Sequence, residues 1–281
     1  MLPRMVVDER AEVLENRALS AEYNVVTLAA PDIAAAARPG QFVMLRTAPG
    51  LEPLLRRPFS IFEIVRGADG TARAISILNK RIGIGTGRLY AVRAGERLDC
   101  LGPLGQPWPL SAGARTVWMV AGGVGLAPFA TLTEALVARG LALRLFYGAR
   151  RGEDLYYADW FADRGVDLVV TTEDGSRGVT GRVTVALDRA LASTTRDDAM
   201  DVYCCGPTPM MRAVAARLAD AGRDTWVSLE QVMGCGMGGC YSCVVPLRTA
   251  AGGTHFVRSC IAGPVFAAST LHWEGLAADH G

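Results

Sequence analysis

The sequence predicts an antiparallel β-barrel, a doubly wound parallel α/β sheet and a small C-terminal metal-binding segment. Three observations predict this. Residues 8–112 break into short apolar strands divided by turns. Residues 113–228 alternate strands with helices around glycine-rich turns. The remainder carries Cys235, Cys240, Cys243 and Cys260 in one compact pattern. The expected modules are 1–112, 113–228 and 229–281.

The first module reads as six strands: AEVLENRAL, YNVVTLAA, GQFVMLRT, FSIFEIV, RAISILN and ERLDCLG. Each is rich in β-branched and apolar residues. Pro39-Gly40, Ala68-Asp69-Gly70 and Ala94-Gly95 punctuate them, the mark of a small antiparallel barrel. One short helix over 86–92 interrupts it. In the second module TVWMVA runs into Gly122-Gly123-Val124-Gly125, and a helix closed by Gly140 follows. LRLFYGA, DLVVTTE and DVYCC are further strands, a helix spans 208–221, and TWVSL closes the unit. Strands alternating with helices give a parallel sheet.

The cysteine spacing is C-x4-C-x2-C with a fourth Cys beyond. This is the plant-type pattern for a [2Fe–2S] cluster, which carries one electron at a time. A four-cysteine zinc site is the competing reading, but zinc ligands usually come as two separated C-x2-4-C knuckles. Here three cysteines share one loop with Gly234, Gly236, Gly238 and Gly239. Such glycines let backbone N–H groups approach bridging sulfides. A Rieske centre needs two His ligands, and His255, His272 and His280 are not paired with cysteines.

Composition narrows the rest. The chain has 281 residues, half of them apolar, with 29 basic and 28 acidic side chains and a net charge of +1. That balance points away from nucleic acid and from anionic membranes. The N-terminal residues hold no apolar leader, and Thr116–Thr133, though uncharged, contains Gly122, Gly123, Gly125 and Pro128 and reads as buried core. Free thiols and iron–sulfur ligands fit a reducing compartment, so the cytoplasm is expected.

Gly122, Gly123 and Gly125 sit between a strand and a helix, where backbone N–H groups can face a pyrophosphate. A turn that needs glycine only for packing explains the same residues. Cys205, Gly206 and Pro207 end a later strand, and ligands of open α/β sheets bind outside the carboxyl ends of strands. Together the two loops point to a nicotinamide dinucleotide. Cys204 and Cys205 also read as packed core thiols. In the barrel, Arg57 precedes Pro58, Phe59 and Ser60; an arginine fork can grip a pyrophosphate and a serine can hydrogen-bond a flavin ring. Gly85 and Thr86 offer a second N–H cluster at the start of the short helix. Glu173-Asp174-Gly175 reads as a plain acidic turn or as a cofactor contact, and Arg150 and Arg151 as ribose-facing or surface charges, with Asp154 a partner for Arg150. No Ser/His/Asp, Cys/His or paired-carboxylate arrangement is visible, so no catalytic residue is assigned.

With PGQFVML, RRPFSIF, GIGTGRL, LGPLGQPW, VAGGVGLAPF, TTEDGSRGVTG, CCGPTPMM, LEQVMGCGMGGCYSC and SCIAGPVF, nearly the whole chain resembles the electron-transfer subunit of NAD-linked dihydroorotate dehydrogenase. That family lies within the ferredoxin–NADP reductase superfamily. The resemblance implies FAD on Arg57–Ser60, Leu78, Asn79, Lys80, Gly85 and Thr86; NAD framed by Gly122–Gly125 and Cys205–Pro207; and the cluster on the four cysteines. Asn79 and Ala262 depart from the family pattern. A flavin exchanges electrons in pairs or singly, so it belongs between NAD and the cluster. The family also implies an FMN-containing dihydroorotate-oxidising partner in a two-plus-two assembly. Sister subunits of bifurcating transhydrogenases and sulfhydrogenases share these marks. An oxygenase reductase would have a longer final gap than the 16 residues between Cys243 and Cys260. A zinc-stapled, non-redox nucleotide-binding protein is the reading of a different class.

Overall fold

The computed structural model describes residues 6–48, 50, 52–195 and 199–276. The first sheet is built from β1 (Val7–Ala18), β2 (Tyr23–Ala29), β3 (Phe42–Arg46), β4 (Arg57–Ser60), β5 (Glu63–Arg66), β6 (Ala72–Lys80) and β7 (Arg97–Leu104). All pairings are antiparallel, in the order β4-β3-β7-β1-β2-β6-β5. The segment FSIFEIV, expected as one strand, is divided at Ile61 and Phe62 between β4 and β5. These two strands stand at opposite edges of the sheet yet are only two residues apart in sequence. The sheet must therefore curl until its edges nearly meet, which makes it a barrel.

Ile61, Val26, Leu28, Val43, Leu45, Ile75, Ile77 and Leu98 fill the barrel interior. Helix α1 (Pro31–Ala36) starts on Pro31, whose fixed φ suits the first helical turn. Its six residues carry too little periodicity to be recognised from sequence. Helix α2 (Ile84–Ala91) is tied to the barrel by a chain of amides. Asn79 Nδ2 donates to Asn24 Oδ1 (2.8 Å) and to the Thr86 carbonyl (3.0 Å). Asn24 Nδ2 donates to Asn16 Oδ1 (2.7 Å), and Asn16 Nδ2 to the carbonyls of Tyr90 and Val92. Asn24 is fully buried, so its loss strands polar groups on both neighbours. Asn24→Ala should destabilise the protein by about 2 kcal/mol, read by denaturant titration; an unchanged midpoint would refute the amide chain as a stabilising element.

The second sheet contains β8 (Thr116–Gly122), β9 (Ala142–Ala149), β10 (Asp167–Thr172), β11 (Val179–Thr180), β12 (Met200–Cys205) and β13 (Trp226–Ser228). Helices α3 (Phe129–Val137), α4 (Ala158–Ala162), α5 (Val183–Leu191) and α6 (Thr208–Asp220) connect them. The order β11-β10-β9-β8-β12-β13 is parallel throughout. The chain moves outward from β8 to β11, then returns to β12 on the other side of β8. The crevice between β8 and β12 is thus the topological switch point. Thr116–Thr133 forms β8, a 3₁₀ turn and the start of α3, and is mostly buried. Among the described residues no helix is long and apolar enough to cross a membrane.

The C-terminal residues form a hairpin of β14 (Val244–Arg248) and β15 (Thr254–Arg258), a single turn α7 (Ser259–Ala262) and β16 (Val265–Ala267). β16 pairs antiparallel with β13, so the sheet ends on this strand and not on TWVSL. Met233, Cys243 and Cys260 pack with Phe42, Met44, Leu101 and Leu104 of β3 and β7. The cysteine segment is therefore attached to the parallel sheet by a strand and to the barrel by apolar contact.

Candidate functional site

The four cysteines converge in two pairs. Cys235 lies beside Cys240, and Cys243 beside Cys260. Zinc needs four ligands around a single ion. A two-iron cluster needs two thiolates per iron, which is what two adjacent pairs supply. The backbone around them also suits a cluster: Met237 and Gly239 N–H groups donate to Cys235 Sγ (3.4 and 3.3 Å), and Cys260 N–H to Cys243 Sγ (3.4 Å). Gly236 and Gly238 adopt positive φ (73° and 79°), and a Cβ on Gly236 would stand 2.5 Å from Met44. Glycine at 236 lets the loop press against the barrel.

The two pairs differ in environment. Cys243 and Cys260 are each 1% exposed, whereas Cys240 is exposed. The Ser242 hydroxyl, 3.2 Å from Cys240 Sγ, lowers that thiol to about 6. Burial, with Cys243 alongside, pushes Cys260 up to about 12. Ser242 also accepts from the Gly234 N–H (2.8 Å), closing the loop. Arg258 Nη1 donates to the Gly238 carbonyl (2.7 Å) and its guanidinium lies 5.0 Å from the Tyr241 ring centre. Neither Ser242 nor Arg258 was legible beforehand; a serine between two cysteines and an arginine near a third are the only traces they leave in the sequence.

The two glycine-bearing loops of the parallel sheet meet at the switch point. Cys205 stands opposite Ala121 in the register of β12 and β8. A Cβ on Gly125 would stand 2.4 Å from the Cys205 carbonyl oxygen and 2.6 Å from Gly206 Cα. A Cβ on Gly122 would meet Met210 and Pro207, and one on Gly206 would meet Gly122. Close backbone approach between the loops therefore accounts for these glycines, and it places both turns side by side at the carboxyl ends of β8 and β12. Cys204 is fully buried, and burial raises both it and Cys205, the latter to about 12. Both thiols stay protonated at neutral pH.

On the barrel, Arg57, Pro58, Phe59 and Ser60 form edge strand β4, all half-buried. The Arg57 stem crosses Gly85, where a Cβ would stand 3.0 Å from it, and Arg57 Nη1 donates to the Leu55 and Arg56 carbonyls. The Thr86 hydroxyl accepts from the Ile82 and Gly83 N–H groups, shaping the turn before α2. Leu78, Asn79 and Lys80 end β6 opposite Val25, Asn24 and Tyr23. Arg57 and Gly85 are in contact, and Asn79 reaches the same helix through Thr86. Asp174 accepts hydrogen bonds from Ser176, which hold its carboxyl below the usual range, and the Ser176 hydroxyl accepts in turn from the Gly152 N–H (2.7 Å). Arg151, not Arg150, pairs with Asp154, and also with Glu153.

Residues 119–216 match the family model of the oxidoreductase NAD-binding domain. Residues 230–272 match the iron–sulfur cluster binding domain of dihydroorotate dehydrogenase B. The chain is 34% identical over 270 residues to the dihydroorotate dehydrogenase B (NAD(+)) electron transfer subunit of Geobacillus sp. (strain WCH70), covering 95% of this chain and 99% of that protein. The Bacillus caldolyticus subunit of the same name is 35% identical over the same shares. Among solved structures, an NADH-dependent reduced ferredoxin-NADP oxidoreductase, described for flavin-based electron bifurcation, superposes with a TM-score of 0.82 at 27% identity, covering 95% of this chain and 91% of that one. The ferredoxin reductase in carbazole 1,9a-dioxygenase gives 0.66 at 25% identity, covering 78% and 67%.

Proposed function

The chain belongs to the family of dihydroorotate dehydrogenase B electron-transfer subunits, and on that premise we propose that it passes electrons between a dihydroorotate-oxidising flavoprotein and NAD. The observation that carries this reading is the two-by-two array of cysteines set against the barrel through β3 and β7. NAD(H) supplies two-electron hydride chemistry, FAD converts pairs to single electrons, and a [2Fe–2S] cluster carries one electron.

The chain's residues divide that work. Residues 1–112 form the FAD-binding module, 113–228 the NAD module and 229–281 the cluster segment. Cys235 and Cys240 hold one iron, Cys243 and Cys260 the other. Arg57–Ser60, Leu78–Lys80, Gly85 and Thr86 retain FAD; Arg57, braced by two carbonyls, presents its guanidinium to the pyrophosphate. Gly122, Gly123, Gly125, Cys205, Gly206 and Pro207 receive NAD in the switch-point crevice. Cys205 is protonated there, so it packs and does not act as a nucleophile. Met44, Leu104 and Met233 exclude water between barrel and cysteines. Val232, Met237, Tyr241 and Ile261, all exposed apolar side chains of the cysteine segment, suit a protein partner.

The partner is the FMN-containing catalytic subunit, in a two-plus-two assembly in the cytoplasm. The greater identity to dihydroorotate dehydrogenase subunits than to the bifurcating oxidoreductase favours this pathway. Co-purification from the native host tests it: a dihydroorotate-oxidising flavoprotein should accompany the chain, and a hydrogenase or transhydrogenase partner would overturn the pathway. Arg57→Ala should lower flavin occupancy of the purified protein by about tenfold, the loss of one or two charge-assisted contacts. Unchanged flavin-to-protein absorbance would remove Arg57 from the site.

A further inference from the structure

Tyr23 joins the two halves of the proposed cofactor site. It begins β2, directly opposite Lys80 at the end of β6. Lys80 Nζ lies over its ring, 5.6 Å from the centre. On another side the ring packs against Tyr156, with centroids 4.7 Å apart and planes at 42°. Its hydroxyl oxygen lies 3.7 Å from where a Cβ of Gly123 would stand, beside the turn after β8. One side chain thus touches a flavin-side residue of the barrel and reaches the nucleotide-side turn of the parallel sheet.

The ring and the hydroxyl have separate tasks. The ring is part of the core shared by the two sheets, together with Val25, Phe62 and Leu78 of the barrel and Ala121, Leu126 and Tyr147 of the sheet. That explains an aromatic residue, but Phe would serve. Among the described residues the hydroxyl makes no hydrogen bond, and it is not among the sealed, unpartnered polar atoms. The residue is 5% exposed, and the hydroxyl keeps part of that surface. A tyrosine hydroxyl held at a buried junction normally finds a polar partner.

We propose that the Tyr23 hydroxyl is a positioning contact for NAD(H), donating a hydrogen bond to the dinucleotide where it passes between the Gly123 turn and the barrel. The inference rests on the reading of that turn as the NAD site. Neighbouring charges come from Glu22, Lys80, Arg150 and Asp154, so the contact is made by a neutral phenol; burial raises its pKa far above neutrality.

The test compares wild type with Tyr23→Phe, using the flavin-loaded protein. Equilibrium NAD⁺ binding is measured by calorimetry, and flavin reduction by NADH in stopped flow. Losing one hydrogen bond should weaken NAD⁺ binding and slow reduction by about five- to twentyfold, with flavin content and melting temperature unchanged. Equal affinity and equal rates in the two proteins would overturn the proposal. Loss of flavin from the Phe variant would also overturn it, by assigning the hydroxyl to the flavin. If wild type binds no NAD⁺, the NAD-site reading falls and this inference with it. Tyr23→Ala serves as a contrast: it should lower the melting temperature through lost packing, an effect that Phe should not show.

Discussion

A Cys240→Ser variant is expected to purify with its flavin and without its iron. Iron–sulfur clusters are held by thiolates, and a serine hydroxyl is far harder to ionise than a thiol. Cys240 is the exposed member of its pair, and Ser242 already lowers its thiol to about 6. The wild-type position is thus prepared to ligate, and the substitution changes one exposed atom without disturbing the core. Iron should fall from about two per flavin to near zero. One-electron delivery to the partner should drop by at least about 100-fold, beyond the cost of outer-sphere changes. Reduction of the flavin by NADH should persist, because the proposed NAD and FAD residues lie elsewhere in the fold. Iron retained at the wild-type level would remove Cys240 from the ligand set. Simultaneous loss of flavin would show that cluster segment and barrel do not load independently.

Gly125→Ala should force apart the two turns that meet at the switch point of the parallel sheet. Gly125 does not need a left-handed backbone, so strain in φ is not the issue. The added Cβ would stand 2.4 Å from the Cys205 carbonyl oxygen and 2.6 Å from Gly206 Cα. Both are backbone atoms that cannot rotate away. Relief requires the turn after β8 and the turn after β12 to separate. Overpacking of this kind costs about 1–3 kcal/mol, more than the few tenths that a Gly-to-Ala change returns through the unfolded chain. The melting temperature should fall by several degrees. The Michaelis constant for NADH should rise by at least about tenfold, since the proposed NAD site lies between the two displaced turns. An unchanged Michaelis constant, with the stability loss present, would show that NAD binds away from this crevice.

The sequence disclosed most where chemistry constrains spacing. Four cysteines in a fixed pattern specify a cluster whatever surrounds them, and Gly122 and Gly125 mark a turn because a Cβ there would run into Met210 and Pro207 or into the Cys205–Gly206 backbone. Strand and helix alternation likewise revealed the parallel sheet. Features set by tertiary contact were hidden. FSIFEIV looks like one strand because Ile61 and Phe62 are apolar, and only barrel closure shows that they cross from one edge to the other. The attachment of β16 to β13 depends on three residues, too few to announce a partner. Asn16, Asn24 and Asn79 lie far apart in the chain, so their amide chain had no local signature. Ser242 and Arg258 gain their roles from a loop that closes in space. The pairing of Asp154 with Arg151 in place of Arg150 turned on which of two adjacent side chains faces the short 3₁₀ turn at Gly152–Asp154.

An anaerobic titration of the purified protein with NADH, followed by visible absorption and electron paramagnetic resonance, decides whether electrons pass from NADH through a flavin to a cluster. The oxidised protein should show flavin and iron–sulfur bands. NADH should bleach the flavin and give the signal of a reduced [2Fe–2S] cluster, with about two irons per flavin. A colourless protein containing zinc, or a coloured one that NADH leaves unchanged, would contradict that electron path.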